Sequence, residues 1–259
     1  MNADVSRLER AAYLAWPPSE TEPYDGWTLR FSDGFSRRVN SIDARGPSSF
    51  DFEAKIDSCR RRYADHRLPL LFRITPTSEP GISAGLDELG FGREAETQVL
   101  AGPISQGDST GRGSVADAPT ERWIGDQLEF AGVQADLVAP WLRMLERVPC
   151  PGGFASVHDA DGATTAVGFG VVVDELLGVF EVIVDPSSRR RRQATGLMNT
   201  LGHWGVAHGA AAAYLQVTSA NVGALALYRT LGFTEVYRYH YRRDQVAAIR
   251  AEAESSRPG

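Results

Sequence analysis

Lysine is almost missing from this chain of 259 residues: Lys55 is the only one, and the other 26 basic residues are arginines. The bias runs through the whole sequence, so abundant arginine is not by itself evidence of phosphate binding. Basic charge is not in excess either. The formal net charge is −6 and the sequence pI about 5.4, which argues against a nucleic-acid partner, because neutralising phosphates needs a basic footprint. Cysteine is scarce. Cys59 and Cys150 stand far apart without ligand-like neighbours, which argues against a disulfide framework or a cysteine zinc site and reads as two buried or half-buried thiols. The histidines His66, His158, His203, His208 and His240 show no metal spacing; His203 and His208 are close but do not share a helix face. No metal is expected. No apolar run approaches the ~20 residues of a membrane span, and the opening MNADVSRLERAAYLAW breaks its apolar residues with charges, unlike a secretory leader. A cytoplasmic location without a membrane partner is the expectation. No Walker loop occurs.

What is present suffices for packed cores. Hydrophobic residues make up 42% and aromatics 9%, which excludes a disordered chain, and the length suits two domains of ~100–150 residues. The clearest break is GPISQGDSTGRGSVADAPT, Gly102 to Thr120, rich in Gly, Ser, Asp and Pro and lacking apolar periodicity; it reads as an exposed linker. The expected organisation is a domain over 1–102, a linker over 103–119, a second domain over 120–245 and a tail over 246–259.

Both halves read as mixed α/β. In the second, Phe154–Val157 and Thr165–Val173 are strand-like around an Asp161-Gly162 turn, and Gly178–Val184 is a strand closed by Asp185-Pro186. Ala194, Leu197, Met198, Leu201 and Trp204 fall at helical spacing, Tyr214–Thr218 returns to strand, and Asn221–Thr230 is a short helix. The alternation of Tyr237, Tyr239 and Tyr241 suits an edge strand, and with it a homodimer interface. LPLLFRIT (Leu68–Thr75) precedes LDELGF (Leu86–Phe91) as AAAYLQVT (Ala211–Thr218) precedes YRTLGF (Tyr228–Phe233), in a register held to one residue. A helical run lies upstream of each, Phe50–Ala64 and Ala194–His208. Strand, helix, LGF and strand in one order point to duplication of a single fold.

The block that carries chemistry is GVFEVIVDPSSRRRRQATGLM, Gly178 to Met198: a strand, a Pro-marked turn, and a loop opening a helix. Such a junction aims backbone N–H groups and the positive helix end at one spot, and arginines add bidentate donors, so pyrophosphate is the natural guest. On spacing alone, a solvated charge run fits Arg189–Arg192 as well.

That block, followed in order by WGVAHGA, YLQVT, NVGALALYRTLGF and YRYHY, resembles the GNAT superfamily of acetyl-CoA-dependent N-acetyltransferases. The resemblance is strong over about residues 150–243. The opening GWTLRFSDGFSRRVNSI is similar to two-domain bacterial GNAT proteins with a degenerate amino-terminal half, and the stretch IDARGPSSFD has no arginine–glycine loop. The resemblance therefore implies an α/β fold (α+β mixed sheet) with two tandem GNAT-like domains, only the carboxy-terminal one binding acetyl-CoA. Within it, Val182, Ile183 and Val184 match the strand that pairs with the pantetheine arm. Arg189, Arg190, Arg191, Arg192, Gln193 and Ala194 match the pyrophosphate loop, with Thr195 next in the helix. Asn221 matches the residue holding the arm and Tyr228 the general acid; seven residues apart, they are expected on one helix face. Core packing beside Leu227 and Leu231 is the other reading of Tyr228.

Two positions depart from the pattern. Arg192 stands at the loop's central glycine, where it must take an ordinary φ or distort the loop. Gln216 stands where GNATs acting on protein amino termini often carry a glutamate. Glu181, between Phe180 and Val182, is the remaining carboxylate for a base, its apolar neighbours favouring a raised pKa; pointing to solvent is the alternative. Arg30, Arg38, Asn40 and Ser41 either face a cleft between the halves or satisfy one another in a small core. The expected activity is acetyl transfer to a small-molecule or amino-acid-like amine, with a protein or peptide N-acetyltransferase and a non-catalytic acyl-CoA-binding module as alternatives.

Overall fold

The computed structural model describes residues 2–104, 107, 112–149 and 151–245. Cys150 and the tail expected over 246–259 lie outside them. In chain order the elements are α1 (Asn2–Ala15), β1 (Glu20–Tyr24), β2 (Trp27–Phe31), β3 (Asp43–Ala44), α2 (Phe52–Asp65), β4 (Leu71–Ile74), α3 (Ile82–Glu88), β5 (Phe91–Gly102) and β6 (Arg112–Ala116). There follow α4 (Glu121–Ala131), α5 (Ala135–Leu145), β7 (Gly152–His158), β8 (Thr164–Val173), β9 (Leu176–Val184), α6 (Gln193–Ala207), β10 (Ala212–Thr218), α7 (Val222–Thr230) and β11 (Thr234–Asp244). The fold is mixed α/β.

Two compact units form, and each draws on separated stretches. One contains Ala3–Pro17 and Gln98–Tyr237; the other contains Pro18–Thr97 and the residues from Arg238. We call them the first and second unit. The expected boundary at 102 placed the amino-terminal residues with the first half of the chain. The structure instead packs α1 into the first unit, where Trp16 meets Phe169 and Phe180 at centroid distances of 5.4 and 5.2 Å. Apolar pattern along the chain does not reveal which distant surface a helix covers.

In the first unit the strand order is β5-β10-β9-β8-β7-β6. β6 through β9 run antiparallel, while β10 joins β9 in parallel through α6. Leu177, Val179, Leu197, Leu201, Leu215 and Leu225 centre the core. The stretch read as linker is corrected here: Arg112–Ala116 is a strand paired with Phe154–His158. Its small residues are there for close approach, since a Cβ on Gly113 would lie 2.1 Å from Thr200 Oγ1 of α6, and this composition mimics a linker.

In the second unit β1, β2 and β3 form one antiparallel sheet, and β11 lies between β4 and β5. Trp27, Leu29, Ile56, Phe72, Leu86 and Phe91 fill its core. β11 is therefore not the edge strand that its tyrosines suggested. Tyr237, Tyr239 and Tyr241 are all buried within the chain, because period-two aromatics mark a buried face whether or not the strand is an edge. The dimer interface expected on that strand has no exposed tyrosine face to use. Within the polar set of the first half, Arg30 donates to the Ser41 carbonyl and hydroxyl, and Asn40 bonds the Ser32 and Ser36 backbone.

Candidate functional site

β9 carries the first feature of the site. Phe180 pairs with Phe169 and Ile183 with Val167, so Glu181 and Val182 together oppose the single residue Gly168. This is a β-bulge with its first residue in the left-handed region, Glu181 at φ 50°. Glycine opposite eases a tight fit, for a Cβ on Gly168 would lie 3.3 Å from both Phe180 O and Val182 Cα. On the other side of β9, pairing with β10 runs from Leu176↔Ala212 to Val179↔Leu215 and goes no further. The two parallel strands part at the bulge. Val182, Ile183 and Val184 are half-buried, and their outer edge has the extended geometry that an amide-bearing arm can pair with.

The chain then turns through Pro186–Ser188, where Asp185 accepts from Ser187 N and Oγ. Those bonds hold its carboxyl below the usual range. Arg190 and Arg192 both take φ 61°, which answers the departure at the glycine position. Arg192 adopts the left-handed conformation itself rather than an ordinary φ, at a cost of roughly 1–2 kcal/mol for a residue with a Cβ. Left-handed residues alternating with ordinary ones turn successive N–H groups toward one concavity, an anion-binding nest. α6 starts directly after it. No side chain caps the helix, and the first backbone bond runs from Gly196 N to Arg192 O, so the amides of Gln193, Ala194 and Thr195 remain available at the positive helix end. Arg189 to Arg192 are exposed. Parted strand, nest and uncapped helix fit the pantetheine arm and pyrophosphate of acetyl-CoA.

Tyr228 lies on α7, 7% exposed, with its ring 6.0 Å from that of Phe233. Burial pushes its hydroxyl up to about 12. Asn221 is the N-cap of α7, one residue before the helix, and its Oδ1 accepts from Ala224 N at 3.1 Å. Only its Nδ2 remains for a ligand. Gln216 is half-buried on β10, one residue beyond the last pair with β9.

The sequence reading missed α4 and what it supplies. Gln127 Nε2 donates to the Glu181 carbonyl at 3.3 Å and to Glu181 Oε2 at 3.4 Å, so a buried amide steadies the bulge and its carboxylate together. The signal was Thr120, whose hydroxyl accepts from Trp123 N as an N-cap. One turn away, Arg122 reaches Thr164 Oγ1 at 3.2 Å and Asp126 at 3.8 Å. His158 Nδ1 lies 3.4 Å from the same hydroxyl. Burial, then the Arg122 charge, lowers the His158 pKa. A separate apolar cavity of about 380 Å³, bounded by Ile124, Leu142, Leu145, Val148 and Phe154, opens near the start of β7. Gly152 there pairs toward Val171 and hence Gly178, away from the bulge. Among the described residues no cluster of three His, Cys, Asp or Glu could hold a metal, and no helix is long and apolar enough to cross a membrane.

Residues 2–242 match the family described as "Probable histone acetyltransferase Rv0428c C-terminal". The chain is 26% identical over 248 residues to the uncharacterized N-acetyltransferase YobR of Bacillus subtilis, covering 92% of this chain and 98% of that protein. It shares its fold with a GCN5-related N-acetyltransferase from Kribbella flavida at a TM-score of 0.68 and 19% identity, covering 93% and 95% of the two chains. A tandem GNAT protein from the clavulanic acid biosynthesis pathway aligns at 0.57 and 15% identity over 74% of this chain and 68% of that one. An acyltransferase assignment sets aside the non-catalytic alternative. The chain belongs to the Rv0428c C-terminal acetyltransferase family, within the GNAT superfamily.

Proposed function

We propose that the first unit moves an acetyl group from acetyl-CoA to the amine of a small-molecule or amino-acid-like substrate by direct attack. The observation that carries the reading is the corner itself: a bulge at Glu181, strands parting beyond Val179, and an uncapped helix behind two left-handed arginines. When bound there, acetyl-CoA supplies the activated thioester. Val182–Val184 hold the pantetheine arm by strand-like pairing, and Asn221 Nδ2 adds a donor. Arg189–Arg192 and the amides of Gln193–Thr195 take the pyrophosphate. An N–H of the Val182–Val184 edge donates to the carbonyl oxygen as it gains charge, a donor already in place before reaction.

Glu181, steadied by Gln127, takes the proton of the amine, directly or through water. The absence of a carboxylate at Gln216 favours an amine that needs little help: a lysine-like amine near ~10.4 is almost wholly protonated at neutral pH, an α-amine near ~7.7–8.0 much less so. Tyr228 serves the leaving group. With its hydroxyl near 12 and an ordinary thiol near ~8.5, it keeps its proton until sulfur gains charge, and acts first as a hydrogen-bond donor.

A protein or peptide amine is the second reading, favoured by the description of the matched family. A thiol-release assay over amino acids, small amines and peptides tests both. Turnover of small amines supports the first; turnover only on peptides or proteins overturns it.

A further inference from the structure

α1 lies far in sequence from every residue of the proposed site, yet it belongs to the same unit. Its two ends meet one hairpin. β8 and β9 are joined by Asp174-Glu175, both at positive φ, 50° and 63°, as a two-residue hairpin turn demands. Arg7 donates to the Asp174 carbonyl at 2.6 Å, and Arg10 Nε bonds Asp174 Oδ2 at 3.0 Å. At the other end Trp16, just past α1, packs on Phe169 and Phe180, which pair across the hairpin and stack at 5.3 Å. Phe180 is the residue before the bulge. The middle of the helix is held by another strand: the Tyr237 hydroxyl of β11 bonds the buried carboxylate of Glu9. A 14-residue helix is ~21 Å long, and Phe169 to Asp174 spans ~17 Å of strand. The helix thus grips the hairpin from its turn to the point where β9 leaves β10.

We propose that α1 is a clamp that sets the bulge, with Trp16 as a positioning residue for acetyl transfer. Trp16 touches neither substrate nor reacting atoms. It fixes the ring of Phe180, and through that ring the backbone of Glu181 and the edge Val182–Val184. The proposal rests on the reading of that edge as the acetyl-CoA site.

The test compares Trp16→Leu and Trp16→Phe with wild type at a temperature where all remain folded. Acetyl-CoA affinity is measured by calorimetry, KM and kcat by thiol release, and amide exchange in the free protein. The clamp predicts a Kd and KM raised about tenfold or more in Trp16→Leu, since small misplacements of a site cost up to ~10²-fold. It predicts near wild-type values in Trp16→Phe, and exchange of the Glu181–Val184 amides about tenfold faster in Trp16→Leu. Leu86→Ala, which cuts the core of the second unit, lowers Tm but leaves Kd in place. If Trp16→Leu does not fold, Trp16→Met is judged by the same measurements. Wild-type Kd, KM and exchange in a folded variant lacking the ring overturn the clamp. Wild-type protein that binds no acetyl-CoA while Trp16→Leu still loosens those amides overturns the cofactor reading instead, and leaves the clamp as a structural device.

Discussion

The same corner occurs in both units, and its chemistry is opposite. In the first, β9 leads through the arginine loop to α6, whose opening amides have no capping side chain. In the second, β3 leads through residues 45–51 to α2, and that loop already holds an anion belonging to the chain. The carboxylate of Asp25, from the β1–β2 turn, accepts from the amides of Ser49 and Phe50 and the hydroxyls of Ser48 and Ser49. Lys55, the only lysine, sits 3.0 Å away, fully buried and 3.6 Å over the Trp27 ring. Led by the Ser49 hydrogen bond, these contacts hold the Asp25 carboxyl far below the carboxylate range. Asp51 caps α2 by accepting from Ala54 N. One corner offers donors to a ligand; the other has spent them internally.

The largest expected effect concerns the first corner. Tyr228→Phe should lower kcat about 10²–10⁴-fold while calorimetry finds unchanged acetyl-CoA binding; an unchanged rate removes Tyr228 from the mechanism. In the second corner, Asp25→Ser takes the partner carboxylate from the buried Lys55 ammonium, leaving it the Asp25 carbonyl and the Ser48 hydroxyl. A Tm fall of roughly 10 °C is expected, with acetyl-CoA stoichiometry unaltered because Asp51 still closes the helix end. A gained second site would show that Asp25 alone bars the ligand. Glu181→Gln should cost about 10²-fold in kcat and flatten the acid limb of the pH–rate profile. A stability loss without a rate loss would leave Glu181 as a bulge residue only.

Acid should separate the units. His240, in the second, is lowered to about 4 by burial and then by Arg93 and Arg242. The unfolded chain, near the ordinary ~6.5, takes that proton first, so the stability present above about pH 6.5 declines as pH falls toward 4. Glu94, held low chiefly by Arg243 and then by Arg37, adds a loss below the unfolded carboxylate range. Amide exchange from pH 7 to 4 should show the second unit loosening first; the reverse order contradicts these assignments. The smallest effect is Arg192→Gly. Relief of the left-handed strain is offset by greater unfolded-state freedom, so stability should stay within about 1 kcal/mol. A large loss would mean the arginine side chain organises the nest.

The strands and helices from Phe154 to Thr230 were legible because their apolar periods are clean, and the repeat of strand, helix and LGF exposed the duplication. What stayed hidden is physical rather than accidental. The bulge depends on Gly168 meeting Glu181 across the sheet, a contact between residues that no local pattern joins. β6 reads as linker because Gly113 is chosen for close approach to Thr200 of α6 rather than for β propensity. Asn221 looked like a helical residue because spacing cannot tell a cap from a first turn. Asp25 gave no hint in the sequence that its carboxylate would close a loop twenty residues on.

The most direct measurement is calorimetric titration of the intact protein with acetyl-CoA, paired with a thermal melt. The account predicts one site per chain and, at a hundredfold excess over Kd, about 2.7 kcal/mol of added stability, a shift of several degrees. No heat and no shift would contradict the first corner; two sites per chain would contradict the closure of the second.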